Sequence, residues 1–284
     1  SLVRLLRPDA FDAKRDRAAQ LWREGTLAWE KRDLPRAEAF LQQAIDTDPT
    51  CAPPFVCLGI IAYQERGDYI AAEEYFERAI RRVSTEAQSE ILRLAYYHLG
   101  RIREAALRFR EAQGYYEKAI EIDPVYAEAW RELGGVVYRQ ALTQEGLPEE
   151  RLERFRQAAR IYETALERLA KRREELVFLT LDNLPGSSDL PFSSRAHNKG
   201  LRDQKRRFER FEGEFAYQIA VIRLATGERE LAADWAKRAV ESPQPLVDYH
   251  LLYAQILREL GREGDAQDQI KAARRLDPTH PRLK

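Results

Sequence analysis

Six times in this 284-residue chain an alanine is followed four positions on by a core residue and three positions later by another alanine. The copies are Ala37/Leu41/Ala44, Ala72/Phe76/Ala79, Ala112/Tyr116/Ala119, Ala158/Tyr162/Ala165, Ala232/Ala236/Ala239 and Ala266/Ile270/Ala273. Spacings of four and three put the three side chains on one helix face. Small residues around a large one let a second helix come close while the gap between them is filled. Three copies end with a proline five residues on, Pro49, Pro124 and Pro278. Proline cannot continue a helix and holds the residue before it extended. The chain therefore reads as a stack of similar helical units, each touching only its neighbours, and not as one enzyme-like core.

Composition agrees with this reading. Forty-four per cent of the residues are hydrophobic and 33% charged, as long amphipathic helices require. The net charge is zero, which argues against a general nucleic-acid binder, since such a protein needs a basic excess to displace counterions. The sequence has no apolar run of about 18 residues, so no transmembrane helix is expected. The two cysteines, Cys51 and Cys57, are read as ordinary thiols. Six residues apart on one helix, they would be about 9 Å apart along the axis, too far to bridge. Arginine outnumbers lysine 38 to 9, a bias that points to a GC-rich bacterial source. With no methionine present, the chain is taken as part of a longer gene product.

A second pattern precedes the alanine ladder. Trp130, Leu133 and Gly134 are followed by Val137 and Tyr138; Phe55/Leu58/Gly59 and Tyr96/Leu99/Gly100 repeat the spacing, and Leu21 and Gly25 keep part of it. Between the two patterns stands Gly67-Asp68-Tyr69, with Gly227 and Gly261 in equivalent turns. On these residues the chain resembles the tetratricopeptide repeat family, whose 34-residue unit is two antiparallel helices. The resemblance implies an all-α, right-handed α-solenoid of about six helix pairs. The register is an N-terminal segment 1–17, repeats at 18–51, 52–86, 93–126, 127–171, 213–246 and 247–284 (the last including a C-terminal cap), and an insertion at 140–152. Repeat two carries one extra residue between Gly59 and Gly67. Repeats five and six have Ile219-Ala220 and Tyr253-Ala254 in place of leucine-glycine.

The ladder breaks most between repeats four and five. Residues 151–181 and 201–225 each read as one long helix, overrunning an ordinary repeat by about a dozen residues, roughly 18 Å. They predict a protruding helical hairpin over 172–212, with a turn-rich, mobile tip at 183–200. Leu190, Pro191 and Phe192 in that tip form a candidate docking element. The basic stretch 195–207 reads first as a solvated loop and helix start.

No catalytic constellation is found: the four histidines have no metal-ligand spacing, and no phosphate loop or nucleophile elbow is present. No cofactor or metal is expected. The candidate binding residues are those the family turns toward its groove: Trp22, Arg23 and Trp29, Val56 and Ile60, Tyr97, His98 and Arg101, Arg131, Tyr138 and Arg139, Tyr217, and Leu251. Aromatics and arginine are the types enriched at binding hot spots. The same stripe also reads as core, with Trp22 and Tyr97 packed on neighbouring helices. The family's lysine–asparagine clamp for chaperone tails is absent, since its positions hold Trp22, Thr26, Cys57, Leu94 and His98.

The resemblance thus implies a non-catalytic scaffold or assembly factor that binds a peptide or helix of a partner protein, amphipathic or acidic in character. Self-assembly of the chain and a regulatory module of a larger enzyme are the alternatives. The compartment favoured is the cytoplasm, with a periplasmic or membrane-tethered place left open.

Overall fold

The computed structural model describes residues 8–83, 89–143, 148–179 and 192–283, without the side chains of 8–12, 176–179 and 192–198. They form twelve α-helices and a final 3₁₀ turn, and no strand occurs among the described residues. The helices are α1 Pro8–Glu30, α2 Leu34–Thr47, α3 Pro53–Ile61, α4 Tyr69–Arg82, α5 Ser89–Ala105 and α6 Phe109–Ile122. Then come α7 Ala127–Thr143, α8 Pro148–Leu179, α9 Phe192–Ala225, α10 Arg229–Val240, α11 Val247–Glu259 and α12 Glu263–Leu276. Consecutive helices pack in six pairs, α1/α2 to α11/α12. The chain divides into two compact units, Ser1–Asp123 and Pro124–Lys284, with three pairs each.

The pairing rests on residue size. A Cβ on Gly25 would lie 2.8 Å from Leu41, on Gly59 2.7 Å from Phe76, on Gly100 2.5 Å from Tyr116 and on Gly134 2.4 Å from Tyr162. Each glycine belongs to the first helix of a pair, and each large residue is the centre of the alanine motif on the second. The flanking alanines, such as Ala72, Ala79, Ala112 and Ala119, are fully buried. In pair five the sizes are evened out, with Ala220 and Ala236 sharing one core cluster.

The ends of these helices follow the same frame. In the three second helices that proline follows, α2, α6 and α12, the last turn ends on Asp48, Asp123 and Asp277, whose φ is −139°, −132° and −149°. These are the extended conformations that a following proline imposes. In five of the six pairs the turn holds a left-handed residue: Arg32, Gly67, Leu107, Gly227 and Gly261 have φ between 59° and 80°, and the turn of the α7/α8 pair lies outside the described residues. Four of the five lie seven residues after the small residue of the first helix, and Gly67 lies eight after Gly59. The extra residue of repeat two is taken up by a π-helical turn, Ala62–Arg66, which closes on Gly67.

Where the ladder breaks, the helices lengthen. In α2, α4, α6 and α12 the helix ends three residues after the last alanine. By that measure α8 would end at Arg168, but it runs on to Leu179 and also begins early, at Pro148. Much of the insertion at 140–152 is therefore helix, the end of α7 and the start of α8. At its other side α9 is already helical from Phe192, nine residues before the start expected at 201. No proline follows until Pro243, and a lone Gly200 costs only about 1 kcal/mol inside a helix. The expected tip thus overlaps α9 at 192–200, and its remainder, including Leu190 and Pro191, lies outside the described residues. The α8/α9 hairpin packs through Leu169, Phe208, Phe211 and Phe215, with Arg173 bonded to Glu212 at 2.5 Å. At the N-terminus, residues 8–17 are the start of α1, and the preceding residues lie outside those described.

The size rule predicts opposite outcomes at two adjacent glycines. Gly134→Ala pushes a methyl into the Tyr162 ring and lowers stability by about 1–3 kcal/mol. Gly135→Ala meets only the tip of Arg139, 3.4 Å away, and raises stability by up to about 1 kcal/mol through helix propensity. Calorimetric melting of the two variants checks the signs.

Candidate partner-binding faces

In the first unit, α3 lies against both α1 and α5. The first helices of the three pairs thus form one side of this unit. Trp22 and Trp29 from α1 and Ile60 from α3 are half-buried on that side, packed on the core below. The Trp22 indole N–H donates to Cys57 Sγ at 3.4 Å, which ties α1 to α3. Burial raises the Cys57 thiol above its usual range, so it stays protonated at neutral pH. Arg23 is exposed beside Trp22.

The π-helical turn contributes a residue that sequence reasoning missed. Tyr63 lies 5.5 Å from the Tyr69 ring and 5.8 Å from His98. The Arg101 guanidinium stands 5.4 Å from its ring centroid, a geometry worth about 0.5–1 kcal/mol where solvent reaches it. The eight-residue step from Gly59 to Gly67 was the available signal, since a π-bulge often marks a functional site.

Three expected groove residues belong to the core instead. Val56, Tyr97 and His98 are 4%, 6% and 5% exposed. His98 lies parallel to Phe76 at 5.2 Å and edge-on to Tyr97. The second helix of the preceding pair covers this side of α5, so these side chains fill the space between pairs. Burial, then the Arg101 charge, pushes the His98 pKa down to about 4. Its Nδ1 has no hydrogen-bond partner.

In the second unit, α9 touches both α7 and α11. Arg131 on α7 bonds Glu132 at 2.8 Å and approaches Glu214 on α9 at 3.9 Å. Its guanidinium lies 5.8 Å from the Phe211 centroid. Burial raises the Glu214 carboxyl, and Arg131 opposes that rise. Arg131 was expected to meet acidic groups of a partner; here its charge is already engaged by carboxylates of this chain. Tyr138 is half-buried, 5.5 Å from Phe155, and Arg139 is half-buried beside Gly135. Tyr217 stacks on Tyr249 at 5.0 Å. Leu251 is elsewhere, on a cleft of about 490 Å³ with Arg258, Arg274 and Arg282.

Among the described residues no group of three His, Cys, Asp or Glu side chains could hold a metal ion. No described helix is long and apolar enough to cross a membrane.

Residues 55–124 match the sequence model of the tetratricopeptide repeat family. This segment, about a quarter of the chain, carries tetratricopeptide repeats, and the rest of the chain shares the helix-pair fold. Among solved structures, this repeat protein superimposes on pilF of Pseudomonas aeruginosa with a TM-score of 0.57, at 16% identity over 96% of each chain. PilW, described as a widely conserved type IV pilus biogenesis factor, gives 0.53 at 18% identity over 94% of this chain and 96% of its own. YrrB, described as having an unusual peptide-binding site, gives 0.50 at 15% identity over 84% and 93%. At such identities the likeness is one of fold. No curated protein matches the sequence.

The buried histidine makes a signed prediction. Its folded pKa lies below the unfolded value of 6.5. The stability that rests on neutral His98 is complete above about pH 6.5 and is lost as pH falls toward 4, up to about 3 kcal/mol. His98→Phe keeps the stacking and removes the titration. Denaturant unfolding between pH 7 and 4 should show the variant losing less stability than the parent by that amount.

Proposed function

We propose that this protein is a non-catalytic scaffold or assembly factor that seats a peptide or helix of a partner protein on the first-helix faces of its repeats. The observation that carries this reading is the face of the first unit. There Trp22, Trp29, Ile60, Tyr63 and Arg101 are contiguous with the core yet only half-buried. Aromatic and arginine side chains held on rigid helices give contact area at little entropic cost. Arg101 over Tyr63 favours a segment that brings an acidic group beside an apolar one. Arg23 stands at the edge of the same face.

In the second unit Tyr138, Arg139 and Tyr217 are the corresponding candidates, and Arg131 acts there by holding Glu132 and Glu214. The described relatives support the class of role: PilW is a pilus biogenesis factor and YrrB has a peptide-binding site. A bacterial source fits both these neighbours and the arginine bias.

The test uses affinity capture of partners from the source organism, followed by affinity measurement with the purified partner. Ile60→Glu and Arg101→Glu should each weaken binding at least tenfold with helicity unchanged. Arg81→Glu, on the exposed side of α4, should leave it intact. Equal affinity of all three with the parent would defeat the proposal.

A further inference from the structure

A cleft of the second unit lies on its second-helix side, among residues to which the preceding reading gives no role. It opens between α8 and α10, is floored by α9, and has a volume of about 700 Å³. That is the size of a ligand site and several times that of one side chain. The cleft exists because the ladder breaks here. Ala170 and Arg173 lie in the part of α8 that runs past the ordinary end at Arg168. Opposite them α10 stops at Val240, one residue after its last alanine. Small residues, Ala170 on the α8 wall and Ala216 on the α9 floor, leave the space unfilled.

The chemistry of the walls is one-sided. Leu166, Trp235 and the two alanines supply apolar surface. Four carboxylates, Glu163, Glu167, Glu212 and Glu241, face two guanidiniums, Arg173 and Arg238. Glu163 is held by Arg223 at 2.8 Å. Glu212 is held through one oxygen by Arg173, while its other oxygen is buried without a donor. Burial accordingly raises the Glu212 carboxyl above its usual range, the mark of a carboxylate whose charge is only partly answered. Glu167 is exposed on the rim, and Glu241 reaches Lys237 only at 3.8 Å. Arg238 is drawn onto the Trp235 ring, 4.3 Å from its centroid, so within the cleft a guanidinium already uses that indole.

We propose that this cleft is a second peptide site, which takes an arginine or lysine side chain of a partner protein. The aliphatic stem lies along Leu166, Ala170 and Ala216, as long basic side chains do on apolar surface. The cationic head enters among Glu167, Glu212 and Glu241. Its occupant is opposite in charge to the segment proposed for the first unit.

The test follows the Trp235 indole resonance of the full chain, assigned with Trp235→Phe, during titration with a blocked Ala-Gly-Arg-Gly-Ala peptide and its citrulline twin. The arginine peptide should shift Trp235 saturably, and citrulline, which keeps the shape but not the charge, should bind at least tenfold more weakly. Glu167→Gln combined with Glu212→Gln should weaken the arginine peptide at least fivefold, with helicity confirmed by circular dichroism. Ile60→Glu and Arg101→Glu should leave this titration unchanged, which separates it from the face of the first unit. An absent or unsaturable shift, equal binding of the two peptides, or loss of the shift in Arg101→Glu overturns the proposal. If the double variant proves less helical, Glu167→Gln alone should weaken binding by at least twofold, and unchanged binding again overturns it.

Discussion

The close approach of two helices, permitted by a missing side chain on one and enforced by a large one on the other, is the contact on which this fold depends. Gly59 beneath Phe76 and Gly134 beneath Tyr162 leave no room for even a methyl group. Because the contact recurs at the same place in successive pairs, each pair has nearly the same shape. Equal shapes stack, and stacking buries the alanines that no single pair could cover. In pair five alanine stands on both sides of the contact, so the gap is shared rather than filled from one helix. This explains how Ala220 replaces glycine without a clash. The interaction is steric and insensitive to salt, whereas the exposed ion pairs that join neighbouring turns, such as Arg32 with Glu65 or Arg229 with Glu259, add little.

That dependence decided what could be read from residues alone. Periodic small and large positions are local in sequence, so the helix pairs, the proline stops and the turns at Gly67, Gly227 and Gly261 were legible, whereas the left-handed Arg32 and Leu107 bear no glycine to mark them. The extra residue between Gly59 and Gly67 was legible as a count, but its result, a π-helical turn that presents Tyr63, needed the backbone. The candidate faces were less readable, for a physical reason. On a first helix, the positions facing the next pair and those facing solvent differ by one residue, and both carry aromatics. Tyr97 and His98 look like Trp22 and Trp29 in sequence, yet Phe76 takes His98 into the core. Arg131 lies 83 residues from Glu214, and no local pattern marks that pairing. The cleft beside Trp235 is of the same kind, made by where α8 and α10 end.

Features that set this chain apart from a regular stack come from departures from the ladder. A helix that keeps the frame has its surface fixed by its neighbours. A helix that overruns it, as α8 does, has a face with no neighbour assigned by the repeat. The first unit departs by one residue and gains an aromatic ring over which Arg101 lies. The second departs by 11 residues at the end of α8 and gains a wall without a facing helix.

The two departures also differ in charge, and this bears on the neutral sequence. A zero net charge means only that opposite signs are balanced over the whole chain. Around Tyr63 the charged group of the proposed face is the half-buried Arg101 guanidinium. Around Trp235 the cleft is lined by four carboxylates and two guanidiniums; Arg223 and Lys237 answer Glu163 and Glu241 from outside it, and Glu212 is incompletely paired. Local field, set by the groups within about a Debye length of 8–10 Å, is what an approaching segment senses. On the two proposals above, a neutral repeat protein would discriminate between acidic and basic segments by face, since neither proposed site depends on the sum of charges. The steric frame makes this separation durable: it holds each charged group on a helix whose position is set by glycine, alanine and aromatic packing and not by the charges themselves.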